Sequence, residues 1–322
     1  MIFQQSVVFF GTPEFAVTSL EALIKNNIIV KAVVTTPDKP TGRGKKITAS
    51  PIKNYALSHN LKILQPENLS EEDFLENLQC LNADLFIVVA FRKLPSKVWQ
   101  MPPLGTFNLH ASLLPDYRGA APINWAIING EKETGVTTFF LNENIDEGKI
   151  IFSEKIKIDN EETFGELYDK MKVIGSQLLI KTTQSILLNK VETIDQKHII
   201  NNQTLLNKAP KILKPYCKIN WKEKSCDIIN KIRGLSPIPT ANTLLVLENT
   251  SEYYIKIFKA KTEILEHTNH IGNIITDNKT FLKIATLDGY VFLLEIQIAG
   301  KNKMPIAQFL RGYPISNEWK AL

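Results

Sequence analysis

At 322 residues the chain is long enough for two domains with separate cores, and its 44% hydrophobic and 22% charged content is that of an ordinary globular protein. Its longest apolar runs, such as residues 85–91, fall well short of the roughly 20 residues that span a bilayer, and three cysteines without CxxC spacing leave no disulfide framework to expect. The net charge of +5 is unevenly placed: residues 1–205 hold 21 Lys and Arg against 23 Asp and Glu, while residues 206–322 hold 17 against 10.

Residues 6–10, SVVFF, read as a buried strand. Gly11-Thr12-Pro13-Glu14 then offers a tight turn, Thr12 as N-cap, Pro13 as first helical residue and an acid in the first turn, predicting a helix over 13–25. GTPEF lacks the GxGxxG pattern, which excludes a dinucleotide site, so Gly11 reads as a packing glycine. No basic n-region precedes the strand, so a cytoplasmic protein is expected. A strand near 29–35, a helix near 52–59, a short strand at 61–64, a helix near 71–81 and the apolar strand 84–90 follow. This alternation predicts an α/β domain with a mostly parallel, Rossmann-like sheet and helices on both faces.

Between the second strand and the next helix lies TTPDKPTGRGKKITASP. Gly42 and Gly44 make this loop mobile; Arg43, Lys45 and Lys46 make it cationic. It is either a solvated charged loop or a clamp for nucleic-acid phosphates and exposed end bases.

The most informative stretch is 107–148. Asn108 and His110 lie two residues apart in a short apolar run, so on a strand they share a face. Ser112-Leu113-Leu114-Pro115 and Arg118-Gly119-Ala120-Ala121-Pro122 read as a loop leaving the sheet for a helix at 123–128, the kind of loop where open α/β sheets bind ligands. An acidic turn follows at 144–148, with Asp146. Each residue alone has an ordinary structural use, a histidine at a strand end or an aspartate before a turn glycine. An amide, an imidazole and a carboxylate brought together suit acyl transfer.

Residues 149–158 read as a strand, and 162–188 as a long amphipathic helix. The polar stretch 196–215 reads as a linker. Beyond it, a helix near 225–233 stops at Gly234, and five short strands between 242 and 298 suggest a small OB-type β-barrel. The expected division is 1–195 for a catalytic domain, 196–215 for the linker and 216–322 for the barrel. The basic balance of this last part suits a polyanionic partner, or belongs to a lysine-rich surface. Five scattered histidines without metal-ligand spacing give no reason to expect a metal.

NLHASLLPDYRGAAPINWAIINGE, with TGVT and IDEG downstream, closely resembles the folate-dependent formyltransferases. The resemblance implies 10-formyltetrahydrofolate as formyl donor, bound along Ser112, Leu113, Leu114 and Pro115. It implies Asn108 and His110 as donors to the carbonyl oxygen, with Asp146 orienting His110 and accepting a proton. The GRGKK loop and the C-terminal barrel resemble those of the tRNA-acting members. They imply initiator methionyl-tRNA as acceptor and Arg43, Lys45 and Lys46 as tRNA contacts; a monomer is expected. Many relatives carry glycine where Arg92 stands, which leaves open whether Arg92 faces folate or solvent. Amino-sugar nucleotide formyltransferases, a formate-releasing hydrolase and a non-catalytic RNA-binding protein remain as alternatives.

Overall fold

The computed structural model describes residues 4–41, 46–200, 205–248 and 250–322, without the side chains of Thr41 and Lys46. The principal elements of the first part are β1 (Ser6–Gly11), α1 (Glu14–Lys25), β2 (Ile29–Val34), α2 (Pro51–Ser58), β3 (Ile63–Leu64), α3 (Glu72–Gln79), β4 (Leu85–Val89), β5 (Thr106–His110), α4 (Pro122–Ile128), β6 (Glu133–Phe140), β7 (Ile150–Lys157) and α5 (Phe164–Leu187). Those of the second are α6 (Ser225–Leu235), β8 (Ala241–Leu247), β9 (Ser251–Ile264), β10 (Ile274–Thr276), β11 (Leu282–Ala285), β12 (Gly289–Ile298), α7 (Ile306–Gly312) and β13 (Lys320–Ala321). Contacts divide the chain into two compact units, Met1–Gly119 with Thr134–Ile156 and Tyr168–Lys208, and Ala120–Glu133 with Lys157–Leu167 and Ala209–Leu322.

The first unit is built on a sheet of order β7-β6-β5-β4-β1-β2-β3. β3, β2, β1, β4 and β5 run parallel, and β6 is antiparallel to β5. Burial on both faces explains the unbroken apolar runs of β1 and β4. On one face Val8, Phe10, Phe86 and Val88 pack with Phe74 and Leu78 of α3. On the other, Gly175 of α5 lets Leu109, Val136 and Phe15 approach closely, and Phe15 meets the Tyr168 ring edge-on at 5.4 Å. Gly11 is a packing glycine, as expected: a Cβ there would lie 2.6 Å from that of Ala16 in α1.

Two local expectations change. Pro13, not Thr12, is the cap residue of α1, in an extended conformation (φ −83°, ψ 177°) and with no side-chain cap bond. The loop, read as irregular, contains a short hairpin with Lys39–Thr41 antiparallel to Lys46–Thr48, while Gly42 and Gly44, which carry its expected mobility, lie outside the described residues. Its root is fastened at Asp38, which accepts from Lys53 Nζ at 2.7 Å and Gln65 Nε2 at 2.9 Å, and α2 begins on Ser50, whose Oγ accepts from Lys53 N–H at 3.2 Å. Arg43 and Lys45 lie outside the described residues.

In the second unit the strands follow the order β10-β11-β12-β9-β8-β13 and are antiparallel throughout. The last strand brings the ends together: Ala321 N–H donates to Gly272 O at 2.8 Å, and Leu322 N–H to Leu244 O at 2.9 Å. The result is a nearly closed OB-type barrel around Ile255, Ile257, Leu282, Ile284, Leu293 and Ile296, as the alternating short strands predicted. α4 packs on α6 in this unit, where Gly234 leaves room for Ile128 and the Asn124 amide donates to Gly234 O at 2.7 Å. Among the described residues no helix is long and apolar enough to cross a membrane.

Candidate active site

The strand order reverses between β1 and β4, so a crevice opens where these strands end. Gly11 pairs with Val89 and Val89 with Leu109, which sets the last residues of β1 and β4 beside the penultimate residue of β5. Asn108 and His110 share the face occupied by Val88 and Phe139, as their spacing predicted. Leu109, on the opposite face, packs against α5.

His110 is only 6% exposed. Its Nε2 lies 3.0 Å from the Tyr117 carbonyl oxygen. A carbonyl only accepts, so Nε2 carries the hydrogen. Its Nδ1 faces Asp146 Oδ2 at 3.9 Å, an ion-pair distance beyond hydrogen-bond length. That Oδ2 also accepts the Gly119 N–H at 2.9 Å. The half-buried Asn108 amide has no partner among the described residues. The three predicted residues are thus brought together around the end of β5, and Asn108 keeps its donors available.

The loop after His110 is bonded chiefly to itself and to β6. Thr137, fully buried and paired with His110 across β5 and β6, donates from Oγ1 to Ser112 O at 2.7 Å and accepts Leu114 N–H at 3.2 Å. Ser112 Oγ donates to Asp116 O at 2.7 Å. Leu113 lies so close to Gly135 that a Cβ there would collide with its side chain and with the Glu154 carbonyl. Ser112, Leu114 and Pro115 are buried and Leu113 is half-buried. The predicted cofactor loop is therefore held by its own bonds and by those to β6.

The half-buried Arg92 guanidinium is bonded to backbone: Nη1 donates to Glu67 O at 2.6 Å and Nη2 to Pro66 O. Tyr117 and Thr137 are site residues the sequence did not single out. The only signal for Thr137 was its place in TGVT. Among the described residues no group of three or more His, Cys, Asp or Glu is placed to hold a metal ion.

Residues 4–183 match the formyl transferase family and residues 211–314 its C-terminal domain. The chain belongs to the formyl transferase family. Within it, the chain is 49% identical over 308 residues to the methionyl-tRNA formyltransferase of Azobacteroides pseudotrichonymphae, covering 95% of each chain. It is 49% identical over 314 residues to that of Flavobacterium johnsoniae, covering 98% of each. Among solved structures it resembles WlaRD, a sugar 3N-formyl transferase, with a TM-score of 0.63 at 23% identity over 92% of this chain and 99% of that one. At that identity the likeness concerns the fold.

Proposed function

We propose that the protein transfers the formyl group of 10-formyltetrahydrofolate to the α-amino group of methionine on initiator methionyl-tRNA, in the cytoplasm and as a monomer. The observation that carries this reading is the convergence of Asn108, His110 and Asp146 at the end of β5, with the His110 Nδ1 to Asp146 Oδ2 distance at 3.9 Å. Near-half identity to methionyl-tRNA formyltransferases over almost the whole chain supports the choice of acceptor.

The folate supplies a formyl carbonyl on N10. As the amine nitrogen bonds to the formyl carbon, negative charge grows on the oxygen and positive charge on the nitrogen. The Asn108 amide, which has no partner among the described residues, donates to that oxygen. His110 is held between Tyr117 O and Asp146, so both its ring nitrogens face protein acceptors rather than the oxygen to which it was expected to donate. Asp146 orients His110 and, through water, takes the proton released by the attacking amine. The bond from the formyl carbon to N10 then breaks, and N10 takes up a proton. A free α-amino group titrates near about 7.7–8.0, so enough neutral nucleophile exists at physiological pH, and placement matters more than activation.

Ser112, Leu113, Leu114 and Pro115 bind the folate. Arg43, Lys45 and Lys46, with the basic residues of 216–322, receive the tRNA, while 1–195 carries the chemistry. The test is incubation of pure protein with 10-formyltetrahydrofolate and charged initiator tRNA, scoring N-formylmethionine, beside an amino-sugar nucleotide as acceptor. Formylation of the sugar and not of the tRNA would transfer the protein to the other branch.

A further inference from the structure

Residues 142–145 are exposed, and the Asp146 backbone is left-handed (φ 56°), a turn conformation that aspartate adopts more readily than most residues other than glycine. The surroundings here are one amide and one guanidinium. Gln196 is 1% exposed. Its Nε2 donates to Asp146 O at 2.9 Å and to Gly148 O at 2.8 Å, and its Oε1 accepts from Arg118 Nε at 3.2 Å and Nη2 at 2.6 Å. Both donors and both acceptor positions of the amide are filled, which fixes its orientation. Arg118 continues the grip with Nη1 on Glu147 Oε1 at 2.8 Å. Gly148 completes the turn, since a Cβ there would run into the Phe140 carbonyl.

Three consecutive residues of the turn are thus held by two side chains that do not themselves touch His110. What they hold in place is the carboxylate: Asp146 Oδ2 points at His110 Nδ1 and takes the Gly119 N–H, one residue after Arg118. We infer that Gln196 and Arg118 are positioning residues, which fix the Asp146 carboxylate against His110 through the backbone of the 146–148 turn. The inference rests on the formyl-transfer reading above. Releasing the turn would let the carboxylate wander by an ångström or more, a displacement that costs on the order of 10- to 100-fold in rate.

The test is a double-mutant cycle in the full chain. Gln196→Met fills the same volume with no hydrogen bonds. It is expected to lower kcat about 10- to 100-fold while the KM for folate and for charged tRNA stay within about 3-fold. In an Asp146→Asn background the same change is expected to cost less than about 3-fold, because the carboxylate it positions is already gone. A Gln196→Met enzyme with wild-type kcat overturns the inference. So does an equal loss in both backgrounds, the mark of a general structural role. If Gln196→Met does not fold, Arg118→Lys, which keeps the charge near Glu147 but cannot fork onto Oε1, is carried through the same cycle and judged by the same outcomes. A wild type that consumes no 10-formyltetrahydrofolate overturns the function and the positioning role together; an active one leaves the cycle to judge the positioning role alone.

Discussion

His110 stands between two acceptors, its Nε2 3.0 Å from the Tyr117 carbonyl oxygen and its Nδ1 3.9 Å from the Asp146 carboxylate. The ring is therefore oriented by backbone on one side and faces a carboxylate on the other. Asp146→Asn keeps the shape and removes the charge. Asp146→Asn and His110→Ala are each expected to lower kcat at least about 100-fold, and the double variant little further, because the pair acts as a unit. Steady-state formyl transfer by folded variants measures this, and near-additive losses would separate the two residues.

Asn108 differs from its neighbours in having an amide with no protein partner among the described residues. Its loss leaves no internal bond to repair, so the effect falls on the reaction. Asn108→Ala is expected to lower kcat about 100- to 1,000-fold, as removal of an oxyanion donor does, with a melting temperature close to wild type. A rate within a few-fold of wild type would remove Asn108 from the chemistry.

Gly135 matters for a purely steric reason. A methyl group there would meet the Leu113 side chain and the Glu154 carbonyl, and the second cannot move without disturbing β7. Gly135→Ala is expected to cost about 1–3 kcal/mol of stability by urea denaturation, the usual range for overpacking. It should also raise the KM for folate, because Leu113 belongs to the proposed folate loop.

Much of this was legible in the sequence, for reasons that can be named. The parallel sheet was visible because β1 and β4 are buried on both faces and read as unbroken apolar runs, and the barrel because its strands alternate between punctuating turns. The convergence of Asn108 and His110 followed from strand periodicity alone. The meeting of His110 with Asp146 did not, and rested on resemblance. Gln196 and Thr137 escaped because their roles depend on partners 50 and 25 residues away, backbone carbonyls that leave no trace in side-chain identity. The hairpin at Lys39–Thr41 and Lys46–Thr48 escaped because its glycines and charges read as loop, while its root is fixed by Gln65, distant in sequence.

The start of α5 supplies a pH-dependent element. Thr163 and Glu166 form a reciprocal cap: Thr163 N–H and Oγ1–H donate to Glu166 Oε2 at 2.8 and 2.7 Å, and Glu166 N–H reaches Thr163 Oγ1 at 3.4 Å. The Thr163 backbone bond, then its hydroxyl, lower the Glu166 pKa below the ordinary 4.5. A depressed carboxylate contributes stability that is present above the unfolded pKa and is lost as pH falls through the folded one. The stability gap between wild type and Glu166→Gln is therefore expected to be full above about pH 4.5 and to close in more acid solution. Thr163→Ala is expected to cost about 1 kcal/mol near neutrality. A gap that widens on acidification would contradict the sign.

The tRNA assignment is tested by substitutions at Arg43 and Lys45. If Arg43 and Lys45 meet phosphates, each alanine substitution is expected to lower kcat/KM for charged tRNA and to flatten its dependence on log salt by about one unit of slope. The KM for 10-formyltetrahydrofolate should not change. An unaltered salt slope would return these residues to the role of a solvated loop.

The decisive measurement is single-turnover formation of N-formylmethionyl-tRNA by the purified protein, wild type beside Asn108→Ala and Asp146→Asn, with folate and charged initiator tRNA saturating. Three side chains acting on one carbonyl require rapid transfer by the wild type and a loss of at least about 100-fold in each variant. A wild type that leaves the methionine unformylated, or variants that formylate it at the wild-type rate, would contradict it.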